Sequence, residues 1–263
     1  MLEGIKRFRI RYTEGKIMLK QVTYNDTIKK FLEKDRIINL NIIGALEYLE
    51  EPQIYVDDSQ EPEGILVIGQ GIYYLYTKSK IFVDKALEQF FHKPGQYIFS
   101  GVEREIAEYI QSKNKVNWAE YCDVYYYPDE TVDRAYIQHE VRSISLEDAA
   151  IIDSFYTYKG EGTLEEIEEN LRKRPSSGVY IGDELVCWVM VHEDDSMGIM
   201  YTKEEHRRKG YAVDVTIDLM DQVLRLKKTP YVQIVESNGM SPGLATKCGF
   251  VKDGKCTWFE IEI

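Results

Sequence analysis

Long apolar runs are missing from this 263-residue sequence. A membrane-spanning helix needs about 20 apolar residues in succession; the best uncharged apolar run is Leu185 to Val191. The N-terminal stretch holds Glu3, Lys6, Arg7, Arg9 and Arg11 with no apolar block behind them, so a signal peptide is not expected and a cytoplasmic protein is. Cysteine is scarce. Cys122, Cys187, Cys248 and Cys256 show no C-x-x-C spacing and the four histidines are scattered, so no metal site is expected and the thiols read as reduced core filler. No Ser/Gly-rich linker or low-complexity tract divides the chain. Basic residues are outnumbered, 33 against 45, for a net charge of −12. That balance repels nucleic-acid phosphate. The excess acid is uneven, −4 over residues 1–135 and −8 over 136–263, which favours a cationic substrate at the second half.

What is present is an ordinary globular mixture, 44% hydrophobic and 30% charged, long enough for one large or two ordinary domains. The softest joint, Tyr127-Pro128-Asp129-Glu130, places a boundary near residue 135, give or take about ten residues. The spacing predicts a strand at Val141–Ile144. Capping boxes at Ser145 and Thr163 predict helices through Tyr156 and to about Arg172. Strands follow at 178–181, 185–191 and 197–202, a helix at 211–228, a strand at 231–236, a short helix opened by Ser241-Pro242 and closed by Gly249, and a strand at 257–263. The first half has the same rhythm, with helices near 26–35, 39–50, 82–91 and 102–112 and strands near 53–57, 64–69, 72–77, 96–100 and 119–127. Twenty tyrosines fall largely in strands, where aromatic packing is the default reading.

One junction carries chemistry. A strand ending Met200-Tyr201-Thr202 runs through a loop, Arg207-Arg208-Lys209-Gly210, straight into the helix beginning Tyr211-Ala212. A helix N-terminus offers N–H groups without internal partners and a partial positive charge. Gly210 lets the backbone approach a ligand, and the three basic residues stand out in an acidic half. The combination suits a pyrophosphate.

Arg207-x-x-Gly210-x-Ala212, followed by Asn238 and Leu244-x-x-Lys247-x-Gly249-Phe250, resembles the GNAT acyltransferase superfamily over residues 139–256. Leu185-Val-Cys-Trp188 and the segment from Met197 look most like its glycine N-acyltransferase branch. The fold class implied is α/β (α+β), a mixed central sheet flanked by helices. Residues 136–263 would form the GNAT acyl-coenzyme A-binding domain and residues 1–135 a degenerate GNAT-like domain, since no phosphate loop follows Tyr73–Thr77. The resemblance implies that Met200, Tyr201 and Thr202 pair with the pantetheine arm. Arg207, Arg208, Lys209, Gly210, Tyr211 and Ala212 would surround the pyrophosphate, and Asn238, Ser241 and Lys247 would contact coenzyme A.

The implied activity is transfer of an acetyl group from acetyl-coenzyme A to a small primary amine by direct attack, with a non-catalytic acyl-coenzyme A binder as the alternative. Expected partners are acetyl-coenzyme A and the amine; a homodimer is allowed, nucleic acid and membrane are not expected. Ala245 stands where the family often has a tyrosine acid, and Met197-Gly198-Ile199 stands where a strand glutamate is common. The catalytic candidates are therefore Glu236 and Asp195 as bases and Tyr211 as acid, with Tyr201 and His192 as further options.

Overall fold

The computed structural model describes residues 18–263; the basic stretch from Glu3 to Arg11 lies outside them. The first half runs β1 (Lys20–Val22), α1 (Asp26–Glu33), α2 (Leu40–Tyr48), β2 (Gln53–Val56), β3 (Gly64–Gly69), β4 (Ile72–Thr77), α3 (Lys80–Phe90), β5 (Gln96–Glu103), α4 (Arg104–Gln111) and β6 (Lys115–Tyr126). The second runs α5 (Ala149–Phe155), α6 (Thr163–Lys173), β7 (Ser176–Ile181), β8 (Glu184–Val191), β9 (Met197–Thr202), α7 (Tyr211–Arg225), β10 (Tyr231–Val235), α8 (Ser241–Lys247) and β11 (Val251–Glu262). Among the described residues no helix is long and apolar enough to cross a membrane. All four cysteines are free and buried.

Local chemistry explains most elements. Asn25 caps α1 by accepting from the amides of Thr27 and Ile28, and Ile28, Phe31 and Leu32 form its buried face. The helix α7 buries Val215, Leu219, Met220 and Val223 at 3–4 spacing. The strand β8 is buried on both faces. Val186, Val189 and Val191 pack toward α7, whereas Trp188 and Met190 pack toward α5 and α6. The helix α8 ends as expected, with Gly249 at φ +88° and the Phe250 amide donating to the Ala245 carbonyl.

Several expectations are corrected. Val141–Ile144 is not a strand; only Arg142 bridges Gly178, with its guanidinium 3.8 Å over the Tyr180 ring. Ser145 caps a single 3-10 turn, Leu146–Asp148, and α5 starts after it. The helix α6 starts from Gly162 at φ +84°, because the Thr163 hydroxyl is bonded back to Gly160. The strands β6 and β11 are each twelve residues long, far longer than their patterns suggested, and β1 had no sequence signal.

The strands form two sheets, ordered β1-β2-β3-β4-β5-β11-β6-β10 and β7-β8-β9. The last strand of the chain, β11, lies between β5 and β6 of the first half, and β6 in turn lies between β11 and β10. Outward from the β6–β11 pair the two directions match. On one side stands β5 and then β4, joined through α3; on the other stands β10 and then β9, joined through α7. Each half carries its first two helices on one face of its sheet and the later ones on the other. Each half thus lends its final strand to the other, and a stacked Phe99–Phe259 pair, 4.8 Å between centroids, packs one such exchange. The joint expected near residue 135 falls in the link after β6, while the large sheet runs across it.

Candidate active site

Between β9 and β10 the sheet opens. The Tyr231 hydroxyl at the start of β10 donates to the Asp194 carbonyl just before β9 at 2.6 Å, but the two strands belong to different sheets and form no ladder with each other. A bulge deepens the opening. Trp188 pairs with Tyr201 and Met190 with Gly198, so Val189 faces both Ile199 and Met200. Ile199 holds φ +48°, a strained setting for a β-branched residue. Met200 packs with the α7 core while Ile199 and Tyr201 pack with α5 and α6, so the bulge re-aims the strand beside the gap.

At the open end lies the loop singled out by its sequence. Arg208 and Gly210 both take positive φ, +63° and +93°. The first bonds within this turn are made by Val213 and Asp214, which donate to the Gly210 carbonyl. Among the described residues no acceptor faces the amides from Arg208 to Ala212. Arg207, Arg208, Lys209 and Gly210 are solvent-exposed. Five consecutive unpaired N–H groups at a helix N-terminus, ringed by cations, have the make-up of an anion-binding nest. A side chain at Gly210 would meet only His139 and Gln138, at 3.8 and 4.0 Å. The nest is therefore open, and its donors, charge and room fit the pyrophosphate of coenzyme A.

Residues absent from the sequence reading hold this helix start. Asp214, 1% exposed, accepts from the Gln138 amide at 3.1 Å and pairs with His139 Nδ1 at 2.6 Å. His139 lies edge-on to Tyr211, 4.6 Å between centroids. The contact spans about seventy-five positions, so no local pattern could have revealed it.

The structure separates the expected site residues. Met200, Tyr201 and Thr202 line the edge of the gap, and the Thr202 hydroxyl lies 3.0 Å from Cys187 Sγ. Arg207 folds back, with Nε donating to the Thr202 carbonyl and the guanidinium 5.5 Å over the Tyr201 ring, so it braces the loop. Asn238 uses its side-chain oxygen to accept from the amides of Met240 and Ser241 in a turn just before α8; the N-cap position falls on Met240, not on Ser241, and no side chain caps it. Lys247 is exposed at the end of α8. Ala245 is buried among α7 side chains.

The catalytic candidates do not converge. Glu236 is paired with Lys255 at 2.8 Å and Arg104 at 3.2 Å, and the Lys255 hydrogen bond holds its carboxyl below the usual range. Asp195 lies at the closed end, clamped by Arg174 at 2.9 Å and Lys228 at 2.5 Å, one strand length of about 20 Å from the nest. Tyr211 is buried in the α7 core against His139. Both carboxylates are occupied by cations and poorly placed to take a proton.

The first half supplies an internal comparison. The strands β4 and β5 pair in parallel only at Ile72–Ile98 and Tyr73–Phe99 and then diverge. Here Asn41 Nδ2 donates to the Ser100 carbonyl of β5, and Lys78, just after β4, bridges to Glu103 at the end of β5 at 2.6 Å and to Asp35 at 3.2 Å. The start of α3 satisfies itself, with the Ser79 amide bonded to the Thr77 hydroxyl and the Phe82 amide to the Ser79 hydroxyl. The register of β4 has no bulge.

These features define the GNAT architecture, and comparisons with known proteins agree. A family model described as FR47-like protein matches residues 178–259. A solved Drosophila protein aligns over 93% of this chain and 98% of its own, at 16% identity and a TM-score of 0.69. A GCN5-related N-acetyltransferase-like protein from Streptococcus suis aligns over 90% and 100%, at 16% identity and 0.55. A tandem GNAT protein from the clavulanic acid biosynthesis pathway aligns over 93% and 98%, at 12% identity and 0.52. No curated protein matches the sequence. The chain has the GNAT fold. The narrower resemblance to the glycine N-acyltransferase branch gains no support from these relatives.

Proposed function

We propose that this protein is a coenzyme A-dependent N-acyltransferase that moves an acetyl group from acetyl-coenzyme A to a small primary amine. The observation that carries the reading is the open nest of unpartnered amides from Arg208 to Ala212 at the mouth of the β9–β10 gap. In this reading the nest and the cations around it hold the pyrophosphate, and the edge of β9 holds the pantetheine arm. The thioester lies in the gap beside the bulge, where an N–H left out of the ladder would meet the developing oxyanion. A thiolate with a pKa of about 8.5 is a fair leaving group, so the absence of a hydroxyl at Ala245 does not stop turnover.

Residues 136–263 would carry this site. Residues 1–135 would be a GNAT-like half that has lost cofactor binding, consistent with the Lys78 bridge across its strand ends and its self-capped helix. The alternative, an acyl-coenzyme A binder without turnover, is favoured by the buried Ala245 and by the ion pairs on Glu236 and Asp195.

Coenzyme A should raise the melting temperature, by the equivalent of about 2.7 kcal/mol at a hundredfold excess over Kd. Gly210→Asp should abolish that shift. Gly210→Ala carries the same backbone cost at φ +93°, about 1–3 kcal/mol, without the repelling charge, and should retain it in part. Absence of any shift in the wild type would end the proposal. Binding without thiol release across primary amines would leave the binder.

A further inference from the structure

On the face of the small sheet opposite the nest, a histidine occupies the place of a missing side chain. The alternation of β8 turns Trp188 and Met190 toward α5 and α6, and His192 follows on that face. A Cβ at Gly198 would lie 2.3 Å from His192 Nε2, so the imidazole covers Gly198 directly. Gly198 sits in β9 one residue before the bulge. The ring therefore lies against the edge of the gap, next to the backbone that would bind the oxyanion.

Two carboxylates back it. Donor atoms of His192, Glu166 of α6 and Glu193 of the β8–β9 turn all lie within 4.8 Å of one another. Glu193 Oε2 is buried with no hydrogen-bond donor. The other groups facing this cluster are Asp194 of the same turn, Tyr156 at the end of α5, Tyr74 of β4 and the Arg174 guanidinium. Arg174 is already committed to Asp195 and the Glu193 carbonyl. Tyr158, 54% exposed, lies within electrostatic reach of Glu120 and Cys122 of β6. Of these groups Glu166 and Tyr158 are exposed, a carboxylate and an aromatic ring that suit a cation.

We propose that His192, backed by Glu166 and Glu193, takes the proton from the acceptor nitrogen, and that the acceptor is a small primary alkylammonium; this rests on the N-acyltransferase reading. An alkylammonium with a pKa of about 10 has no free lone pair at neutral pH. One N–H proton passes to His192 and frees the lone pair. The lone pair forms the N–C bond to the thioester carbonyl. The C–S bond breaks, the sulfur takes a second proton from the nitrogen, and His192 returns its proton to water. The Glu193 oxygen accepts from the incoming ammonium and holds it. Desolvation and the nearby carboxylates raise the Glu166 carboxyl to about 7, so the charge behind His192 grows across the neutral range.

The test compares wild type, His192→Gln, Gly198→Ala and Glu166→Gln, using acetyl-coenzyme A with butylamine, ethanolamine and spermidine. His192→Gln should lower kcat by about 100-fold or more with the coenzyme A Kd unchanged. Gly198→Ala expels the ring without removing it and should do the same. Glu166→Gln removes a negative charge that faces the incoming ammonium, so the KM for the amine should rise while the coenzyme A Kd stays unchanged. His192→Gln within about tenfold of wild type, with the same pH profile, would overturn the inference and leave acyl transfer standing. No turnover with any amine, or no coenzyme A binding, would overturn both.

Discussion

Single residues at the gap show how environment outranks type. Three carboxylates near it, Asp195, Glu236 and Glu166, look equivalent in sequence. Two are held by cations; only Glu166 is crowded by other acids. Its carboxyl, raised from 4.5 to about 7, holds a proton more tightly in the folded chain than in the unfolded one. The folded state therefore has its full advantage below pH 4.5 and loses it as pH rises toward 7. Glutamine cannot ionise, so Glu166→Gln should melt with wild type at low pH and above it from pH 7 upward. Thermal melts across that window check this; a constant difference would refute it. The free amides of Arg208 to Ala212 were legible because glycine and clustered bases mark a helix start. His139 and Asp214 were not, because their partnership spans the chain.

Among the elements, α2 makes a close inter-half contact. At Gly44 it approaches the β8–β9 turn so closely that a Cβ would stand 2.2 Å from the Asp194 carbonyl oxygen. Alanine is the better helix former by about 1 kcal/mol. Overpacking against rigid backbone costs about 1–3 kcal/mol and should prevail. Gly44→Ala should therefore lower the denaturant midpoint; an unchanged or higher midpoint would mean that the helix and the turn separate freely. Helices with strong apolar spacing, such as α7, were legible, as was β8 with its continuous apolar run. The extents of β6 and β11 were not, because their outer residues (Trp118, Tyr121 and Lys252 among them) are exposed and carry no burial pattern.

For the whole molecule, exchange of the final strands makes each half incomplete alone. A fragment of residues 136–263 would carry β10 without β6 beside it and β11 without either neighbour. It should be unfolded or aggregated by circular dichroism and sedimentation, and the two halves produced together should reassemble. A well-folded 136–263 fragment would contradict the exchanged-strand arrangement as a source of stability.

The sequence alone determined the layered α/β class, the doubled element order and the exposed glycine loop at the start of α7, because periodicity, caps and glycine at a helix start are local. Tertiary structure alone decided which strands complete which sheet, which gap stays open and which carboxylates are free. Those outcomes depend on pairings across tens to hundreds of residues, such as Cys122 opposite Cys256 and His192 over Gly198, that leave no periodic trace in the chain.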